Sequence, residues 1–224
     1  MKPQSMPPPL QEKSPTIVVM ARWPAPGRCK TRLAGEIGSE SAARIQTQLT
    51  KHTIAVAKIL AKEKLAEIQL AISGPSSKEA KRWSRKEGLE NIYCQGEGAL
   101  GLRMRKQVLF AQKRQPKEKA GRTTILIGSD LPTLCKLDLI QAIEKLRTHE
   151  LVLGPSSDGG YWLIGLTGKL VNPVVKWPFY GIQWGSNQVL EQTIQRAKSE
   201  DINHGLLREQ NDIDKIEDLS PWQG

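Results

Sequence analysis

Residues 16–33 read TIVVMARWPAPGRCKTRL, an apolar run followed at once by a loop rich in proline, glycine and basic residues. The β-branched and apolar side chains of residues 16–21 predict a buried strand. Polar residues directly after such a strand lie at its carboxyl end, where open α/β sheets bind their ligands. This stretch therefore predicts an α/β fold with a ligand site at one edge of the sheet.

The rest of the chain continues the same alternation of strand and helix patterns. Strands are predicted at residues 68–72, 91–94, 123–128, 151–153 and 161–166. Ser39 is expected to cap a long helix, and further helices are predicted near residues 77–87, 102–113, 137–147 and 187–197, with a short one from about residue 216. Such alternation is typical of βαβ units. The expected fold class is a three-layer α/β/α domain with a mostly parallel, Rossmann-like sheet.

The 224 residues suffice for one domain with its own core. Residues 1–15 contain five prolines and no apolar stretch, so we interpret them as a disordered leader rather than a signal peptide. Residues 16–224 then form the single domain. No apolar run approaches the roughly 20 residues that a membrane helix needs, so no span is expected.

The cysteines and the charge narrow the class of protein. Cys29, Cys94 and Cys135 lie far apart and lack CxxC spacing, which favours reduced thiols in a cytoplasmic protein and argues against a zinc site or a disulfide framework. The net charge is +10, and residues 103–122 hold eight basic residues and one acidic one. This stretch leaves open a non-enzymatic protein that binds polyanions. No nucleic-acid-binding motif accompanies it, so specific nucleic-acid recognition is not expected.

The loop after the first strand is a candidate phosphate site. Pro26 and Gly27 predict a turn, and Arg28, Lys30 and Arg32 alternate on what we expect to be an extended or turning backbone. Alternating cations can bind a diphosphate from more than one side. The segment lacks the first glycine of a phosphate-binding Walker loop. A surface loop with solvated cations is the alternative.

Two acidic segments are candidate metal ligands. Asp130, after Ser129, lies at the tip of a strongly apolar strand, where a carboxylate can hold Mg²⁺ or Mn²⁺ together with substrate phosphates. Asp212 and Asp214 are separated by one residue, so on an extended segment they point the same way and can complete a metal site. The alternatives are an aspartate that orders a turn and a solvated turn before the last helix.

Residues 158–162 read DGGYW and are a candidate substrate site. Gly159 and Gly160 permit a tight turn beside a ligand, which Tyr161 and Trp162 can cover. The same residues also suit a simple hairpin turn. The G-x-G-x-x-G at residues 96–101 is not interpreted as a dinucleotide site, because no acid follows at the end of the next strand.

Taken together, these segments resemble a known family of small bacterial GT-A-type glycosyltransferases, formerly a domain of unknown function and sometimes labelled arsenosugar-biosynthesis glycosyltransferases. The resemblance rests on the ordered set ARWPAPGRCKTRL (21–33), LGLRM (100–104), LIGSDLPTL (126–134), LGPSSDGGYWLIGL (153–166), FYGIQWGSNQVL (179–190) and DIDKIEDL (212–219).

The resemblance implies a nucleotide-diphospho-sugar transferase that uses a divalent cation, Mg²⁺ or Mn²⁺, a nucleotide-sugar donor and a small-molecule acceptor. It makes Asp130 the leading metal ligand, with Asp212 or Asp214 as a second, and Asp158 a candidate catalytic base. The implied nucleotide and substrate contacts are Pro26, Gly27, Arg28, Lys30, Arg32, Gly98, Gly101, Ser129, Gly159, Gly160 and Tyr161. Many such transferases carry Asp-x-Asp at the metal, whereas residues 129–131 are Ser-Asp-Leu. A nucleotidyltransferase that releases pyrophosphate therefore remains the alternative.

Overall fold

The structure is a computed structural model that describes residues 14–113, 121–171 and 178–222. Most of the expected leader, residues 1–13, lies outside the described residues. The strands are β1 (Thr16–Arg22), β2 (Glu67–Ser73), β3 (Ile92–Cys94), β4 (Thr124–Ile127), β5 (Leu151–Pro155), β6 (Tyr161–Leu166) and β7 (His204–Leu206). The helices are α1 (Thr31–Ile37), α2 (Ser39–Lys62), α3 (Ser77–Lys86), α4 (Leu100–Lys113), α5 (Lys136–Lys145), α6 (Gly168–Val171) and α7 (Val189–Ser199), and a 3-10 helix spans Glu217–Trp222.

The strands form one sheet in the order β3-β2-β1-β4-β6-β5-β7. β1 pairs in parallel with β2 and with β4, and β5 pairs in parallel with β7. β6 runs antiparallel to both of its neighbours, β4 and β5. The prediction of a mostly parallel, Rossmann-like sheet is confirmed. The strand order changes direction between β1 and β4, which is the kind of position where such sheets bind ligands.

Alternating side chains of the strands bury both faces of the sheet. In β1, Ile17 and Val19 face one core together with α2 and α5, whereas Val18 faces a second core together with α4 and α7. These strand residues are fully buried. Burial on both faces explains why the central strands are continuously apolar rather than alternating. Helices on both faces give the three layers that were predicted.

Two local features differ from the sequence-based expectation. Ser39 is the first residue of α2 and not its cap, because Gly38, with φ of 85°, separates α2 from the short helix α1. The loop after β1 therefore ends in a helix rather than in an extended segment. β7 was not predicted either, since its three residues, His-Gly-Leu, include no β-branched side chain.

Part of the basic stretch, residues 114–120, lies outside the described residues. Within the described parts of the chain, no helix has both the length and the apolar character required to cross a membrane.

Candidate active site at the carboxyl edge of the sheet

Asp130 is the centre of the candidate site. It follows β4 after Gly128 and Ser129, at the change in strand order. Its Oδ1 accepts a hydrogen bond from Gln46 Nε2 at 2.9 Å, and its Oδ2 lies 2.9 Å from Lys30 Nζ. Ser129, which is 4% exposed, donates a longer hydrogen bond of 3.4 Å to Oδ1. Both carboxylate oxygens are thus held by donors, and 37% of the side chain stays accessible.

Lys30 provides the positive charge beside Asp130. Its backbone is left-handed, with φ of 48°, directly before α1 begins. Its side chain is 3% exposed, and Nζ also donates to the carbonyl oxygen of Ile213. A left-handed lysine is energetically unfavourable and tends to occur where a site needs it. The Lys30 side chain thus contacts two distant parts of the chain, near residues 130 and 213.

Arg28 and Arg32, the other cations of the first loop, do not lie together. Ala25 accepts from the Arg28 amide at 3.0 Å, and Gly27 has φ of 73°, which is typical of a type II turn with Pro26 and Gly27 at its centre. Arg28 is exposed at this turn. Arg32 lies in α1 and pairs with Asp214 at 2.7 Å. The turning backbone that was expected is present at Pro26 and Gly27, but no extended segment follows it, because α1 begins at Thr31.

Asp212 is the second carboxylate of the site. Burial raises its pKa, the neighbouring charges of Asp158 and Asp130 raise it further, and Lys30 opposes them. The carboxylates of Asp130, Asp158 and Asp212 are therefore close enough to influence one another, and the buried ammonium group of Lys30 opposes their effect. Asp214, by contrast, pairs with Arg32, so the structure separates the two aspartates that an extended segment would have aligned.

Asp158 lies in a tight turn between β5 and β6. Its Oδ1 accepts hydrogen bonds from the Ser156 hydroxyl and from the Gly160 amide, the latter at 2.9 Å. Gly159 has φ of 83°, and a Cβ atom there would lie 1.9 Å from the carbonyl oxygen of Asn187. The glycines thus let the turn pack against the start of α7 while the Asp158 side chain stays exposed.

The aromatic side chains after this turn face the core rather than the candidate site. Tyr161 packs edge-on against Trp184 at 6.3 Å, and its hydroxyl is buried. Burial also raises the pKa of Tyr161. Trp162 is 5% exposed and donates to the carbonyl oxygen of Arg208. Trp162 belongs to one core and Tyr161 packs against the other, which fits the alternative that the turn simply leads into a strand, and a substrate contact of Tyr161 stays a prediction.

Gly98 lies on the connection from β3 to α4, and Gly101 is the second residue of α4. Gly98 has φ of 103°, so it serves the turn before α4. A Cβ atom at Gly101 would lie 2.5 Å from the Phe179 carbonyl oxygen and from the Trp184 ring nitrogen. Gly101 therefore allows close packing of α4 against the segment before α7.

The acids of the candidate site are suited to a divalent cation that also binds the substrate. Among the described residues, no three His, Cys, Asp or Glu side chains lie close enough together to hold a metal ion. Asp130 and Asp212 nevertheless offer hard oxygen donors whose mutual repulsion a cation would relieve. Mg²⁺ is usually held by one or two carboxylates, with substrate phosphates and water completing its shell. The donor set fits such a cation, with the substrate supplying the remaining ligands.

Two glutamines of this region were missed by sequence reasoning. Gln46 is 2% exposed on α2 and donates to Asp130, and Gln210 is 3% exposed and accepts from Thr133 at 3.0 Å. The position of Gln46 among the apolar residues on the inner side of α2, which also buries Thr50 and Thr53, could have indicated it. A cleft of about 510 Å³ lies between Pro132, Gln210 and Asp212. A larger cleft of about 810 Å³ begins at the amino end of β2, far from these acids.

Comparison with solved structures supports the fold. A protein of Desulfovibrio desulfuricans G20 assigned as a nucleotide-diphospho-sugar transferase is 24% identical over 90% of this chain and 82% of its own, with a TM-score of 0.75. The 4-diphosphocytidyl-2C-methyl-D-erythritol synthase of Anaerococcus prevotii DSM 20548 is 13% identical, with coverages of 93% and 96% and a TM-score of 0.58.

Glucosyl-3-phosphoglycerate synthase of Mycobacterium tuberculosis, solved with Mn²⁺ and uridine-diphosphate-glucose, is 12% identical over 92% of this chain and 74% of its own, with a TM-score of 0.58. At these identities the likeness shows a shared fold, that of nucleotide-diphospho-sugar transferases and nucleotidyltransferases. No curated protein matches the sequence.

A family model matches residues 56–186, which is more than half of the chain. The matched region includes the Asp130 and Asp158 segments, and the match agrees with the resemblance drawn from the motifs. The chain belongs to the family described as "Uncharacterized protein conserved in bacteria (DUF2064)".

Proposed function

We propose that this protein is a glycosyltransferase that moves a sugar from a nucleotide-diphosphate donor to a small acceptor with the help of a divalent cation. The observation that carries the proposal is the grouping of Asp130, Asp212 and Lys30 at the carboxyl edge, where the strand order changes. A bound Mg²⁺ or Mn²⁺ would supply positive charge against the diphosphate.

The residues around Asp130 have complementary tasks in this proposal. Asp130 and Asp212 hold the cation, and Gln46 keeps the Asp130 carboxylate in one orientation through its 2.9 Å hydrogen bond. Arg28, exposed on the first loop, contacts the donor phosphates and stabilises the negative charge that develops as the nucleoside diphosphate departs. Lys30 fixes Asp130 and adds to the positive potential of the loop.

Asp158 is proposed to receive the proton of the attacking acceptor hydroxyl. It is exposed, and its orientation is fixed by the Ser156 hydroxyl and the Gly160 amide. Its charge raises the pKa of Asp212, which supports a position of Asp158 near the proposed cation site. A general base must reach the proton it removes, and this position lies on the open side of the turn.

Nucleotidyl transfer to a phosphorylated small molecule is the second candidate. It is favoured by the single acid of the Ser129-Asp130-Leu131 segment and by the buried Lys30 beside it. In this reaction the cations would hold a triphosphate, and pyrophosphate would leave instead of a nucleoside diphosphate.

Calorimetric binding with a panel of nucleoside diphosphates, nucleotide sugars and triphosphates, with and without Mn²⁺, tests the proposal. Wild type is expected to bind one diphosphate or its sugar in a metal-dependent manner, and Asp130→Asn is expected to lose that binding. Asp201→Asn, an equal change at an exposed position after α7, serves as the control. Full metal-dependent binding by Asp130→Asn would refute the assignment.

Product analysis separates the two reactions. Release of a nucleoside diphosphate from a nucleotide sugar indicates glycosyl transfer, whereas release of pyrophosphate from a triphosphate indicates nucleotidyl transfer. Thermal unfolding of each variant shows whether a loss of binding comes from a loss of fold.

A further inference from the structure

A second group of basic side chains lies at the same sheet edge, on the side of β2 and β3. Arg22 is the last residue of β1 and is exposed. Arg103 lies in the first turns of α4, and its Nη1 donates to Gln95 Oε1 at 2.9 Å. Neither arginine has an acidic partner within 4.0 Å among the described residues. Arg103 is partly buried without an acidic partner, whereas buried arginines are normally paired.

Gln95 holds this group in place. It is 4% exposed, directly after β3, and its Nε2 donates to the carbonyl oxygens of Ala21 and Ala71, each at 3.0 Å. Its amide thereby spans the ends of β1 and β2, and only its oxygen is left to orient Arg103. The side chain of Arg103 is therefore fixed beside the end of β1, next to Arg22.

The electrostatic environment of Arg103 shows that these two arginines lack a negatively charged partner within the described parts of the chain. Burial lowers the pKa of Arg103, and the charge of Arg22 lowers it further. The Nε atom of Arg103 is buried and has no hydrogen-bond partner among the described residues. An anion that accepts from both arginines would relieve the repulsion between the two guanidinium groups. A phosphate fits best, because its oxygens match the guanidinium fork and its charge is about twice that of a carboxylate.

We propose that Arg22 and Arg103, oriented by Gln95, form a phosphate-binding site that is separate from the Asp130 centre and lies on the β2–β3 side of the first loop. This site binds its ligand without a divalent cation. The proposal for this site is the same whether the protein transfers a sugar or a nucleotidyl group. The phosphate belongs either to the nucleotide or to a second, phosphorylated substrate.

The test is calorimetric binding of inorganic pyrophosphate to the full chain in the absence of divalent metal. Arg103→Gln and Arg22→Gln are each expected to weaken binding about tenfold or more, since each removes a charge-assisted hydrogen bond. Arg85→Gln, which removes the same charge from an exposed position on α3, is expected to bind like wild type. Arg22 is exposed, so its variant keeps the test valid if Arg103→Gln unfolds.

Competition with a nucleoside diphosphate identifies the source of the phosphate. Pyrophosphate that displaces the nucleotide assigns the site to a phosphate of the nucleotide itself, and independent binding of both assigns it to a second substrate. Equal pyrophosphate affinity in wild type, Arg22→Gln and Arg103→Gln overturns the proposal, as does a wild type that binds no pyrophosphate. A wild type that binds pyrophosphate through these arginines but binds no nucleotide would instead contradict the proposed transferase function.

Discussion

The Nζ atom of Lys30 lies 2.9 Å from Oδ2 of Asp130, in an ion pair whose ammonium is 3% exposed and whose carboxylate is 37% exposed. This unequal burial has a functional consequence. The Lys30 ammonium group is bound within the protein, since it also donates to the Ile213 carbonyl. The carboxylate keeps one side open toward solvent, where a cation or a substrate can approach.

Replacing Lys30 with methionine is expected to destabilise the fold by about 1–3 kcal/mol, because it leaves Asp130 and the Ile213 carbonyl without their shared donor. Urea-induced unfolding measures this difference. Arg32→Met removes the exposed ion pair with Asp214 and is expected to cost about 1 kcal/mol or less. Equal effects of the two substitutions would show that the Lys30 contacts do not stabilise the fold.

Asp212→Asn is expected to stabilise the protein at neutral pH while weakening metal-dependent nucleotide binding. Because the pKa of Asp212 is raised in the folded state, the folded protein holds this proton more tightly, and stability falls as pH rises above the usual aspartate range. The gain should therefore vanish at a pH below about 3.8, where the carboxyl is protonated in both states. Thermal unfolding of both proteins from pH 3 to 7 measures it, and a gain independent of pH would contradict this explanation.

Asp138→Asn tests the opposite case, in which folding lowers the pKa of the carboxyl group. Burial raises the pKa of Asp138, but hydrogen bonds from Arg208 and from the Cys135 amide outweigh it, so the pKa lies below its usual value. The carboxylate thus stabilises the fold above the unfolded-state pKa, and this contribution is lost as pH falls through the lower, folded-state pKa. We expect the variant to lose about 2–3 kcal/mol at pH 7. The difference should shrink in acid, and an undiminished difference at pH 2 would show that the charge is not its cause.

Gly159→Ala is expected to destabilise the fold by about 3 kcal/mol or more, because its Cβ would collide with the Asn187 carbonyl and its φ is positive. Gly27→Ala is the matched control: its φ is also positive, but a Cβ there meets nothing within 4 Å. Gly27→Ala should therefore be destabilised only by the cost of placing alanine at a positive φ, about 1–2 kcal/mol. Unfolding in guanidinium chloride compares the two, and similar losses would indicate that Asn187 moves away without cost.

The fold was largely predictable because its main strands are long and apolar. The predicted strand at residues 16–21 corresponds to Thr16–Arg22, and the predicted helix at residues 137–147 to Lys136–Lys145. The short helix α1 was missed because Lys30 adopts a left-handed conformation that no propensity predicts for lysine. The antiparallel direction of β6 was likewise not predicted.

The residues of the candidate site were proposed from the sequence, but their partners were not. Strand ends indicated Asp130 and Asp158, and an acidic segment indicated Asp212 and Asp214. Only the tertiary structure shows that Asp212 approaches Asp130 while Asp214 pairs with Arg32. Spacing along the chain contains no information on these contacts between residues more than 80 positions apart. The roles of Gln46 and of Gln95 depend on long-range contacts in the same way.

The contacts of Ile213 join segments that lie far apart in the sequence. Its carbonyl accepts from Lys30, and its amide donates to the Asp130 carbonyl. Contacts over such long sequence separations carry a large loop-closure entropy, which is recovered only when the intervening chain has folded. The proposed site is therefore expected to assemble late in folding, after the sheet has placed residues 30 and 130.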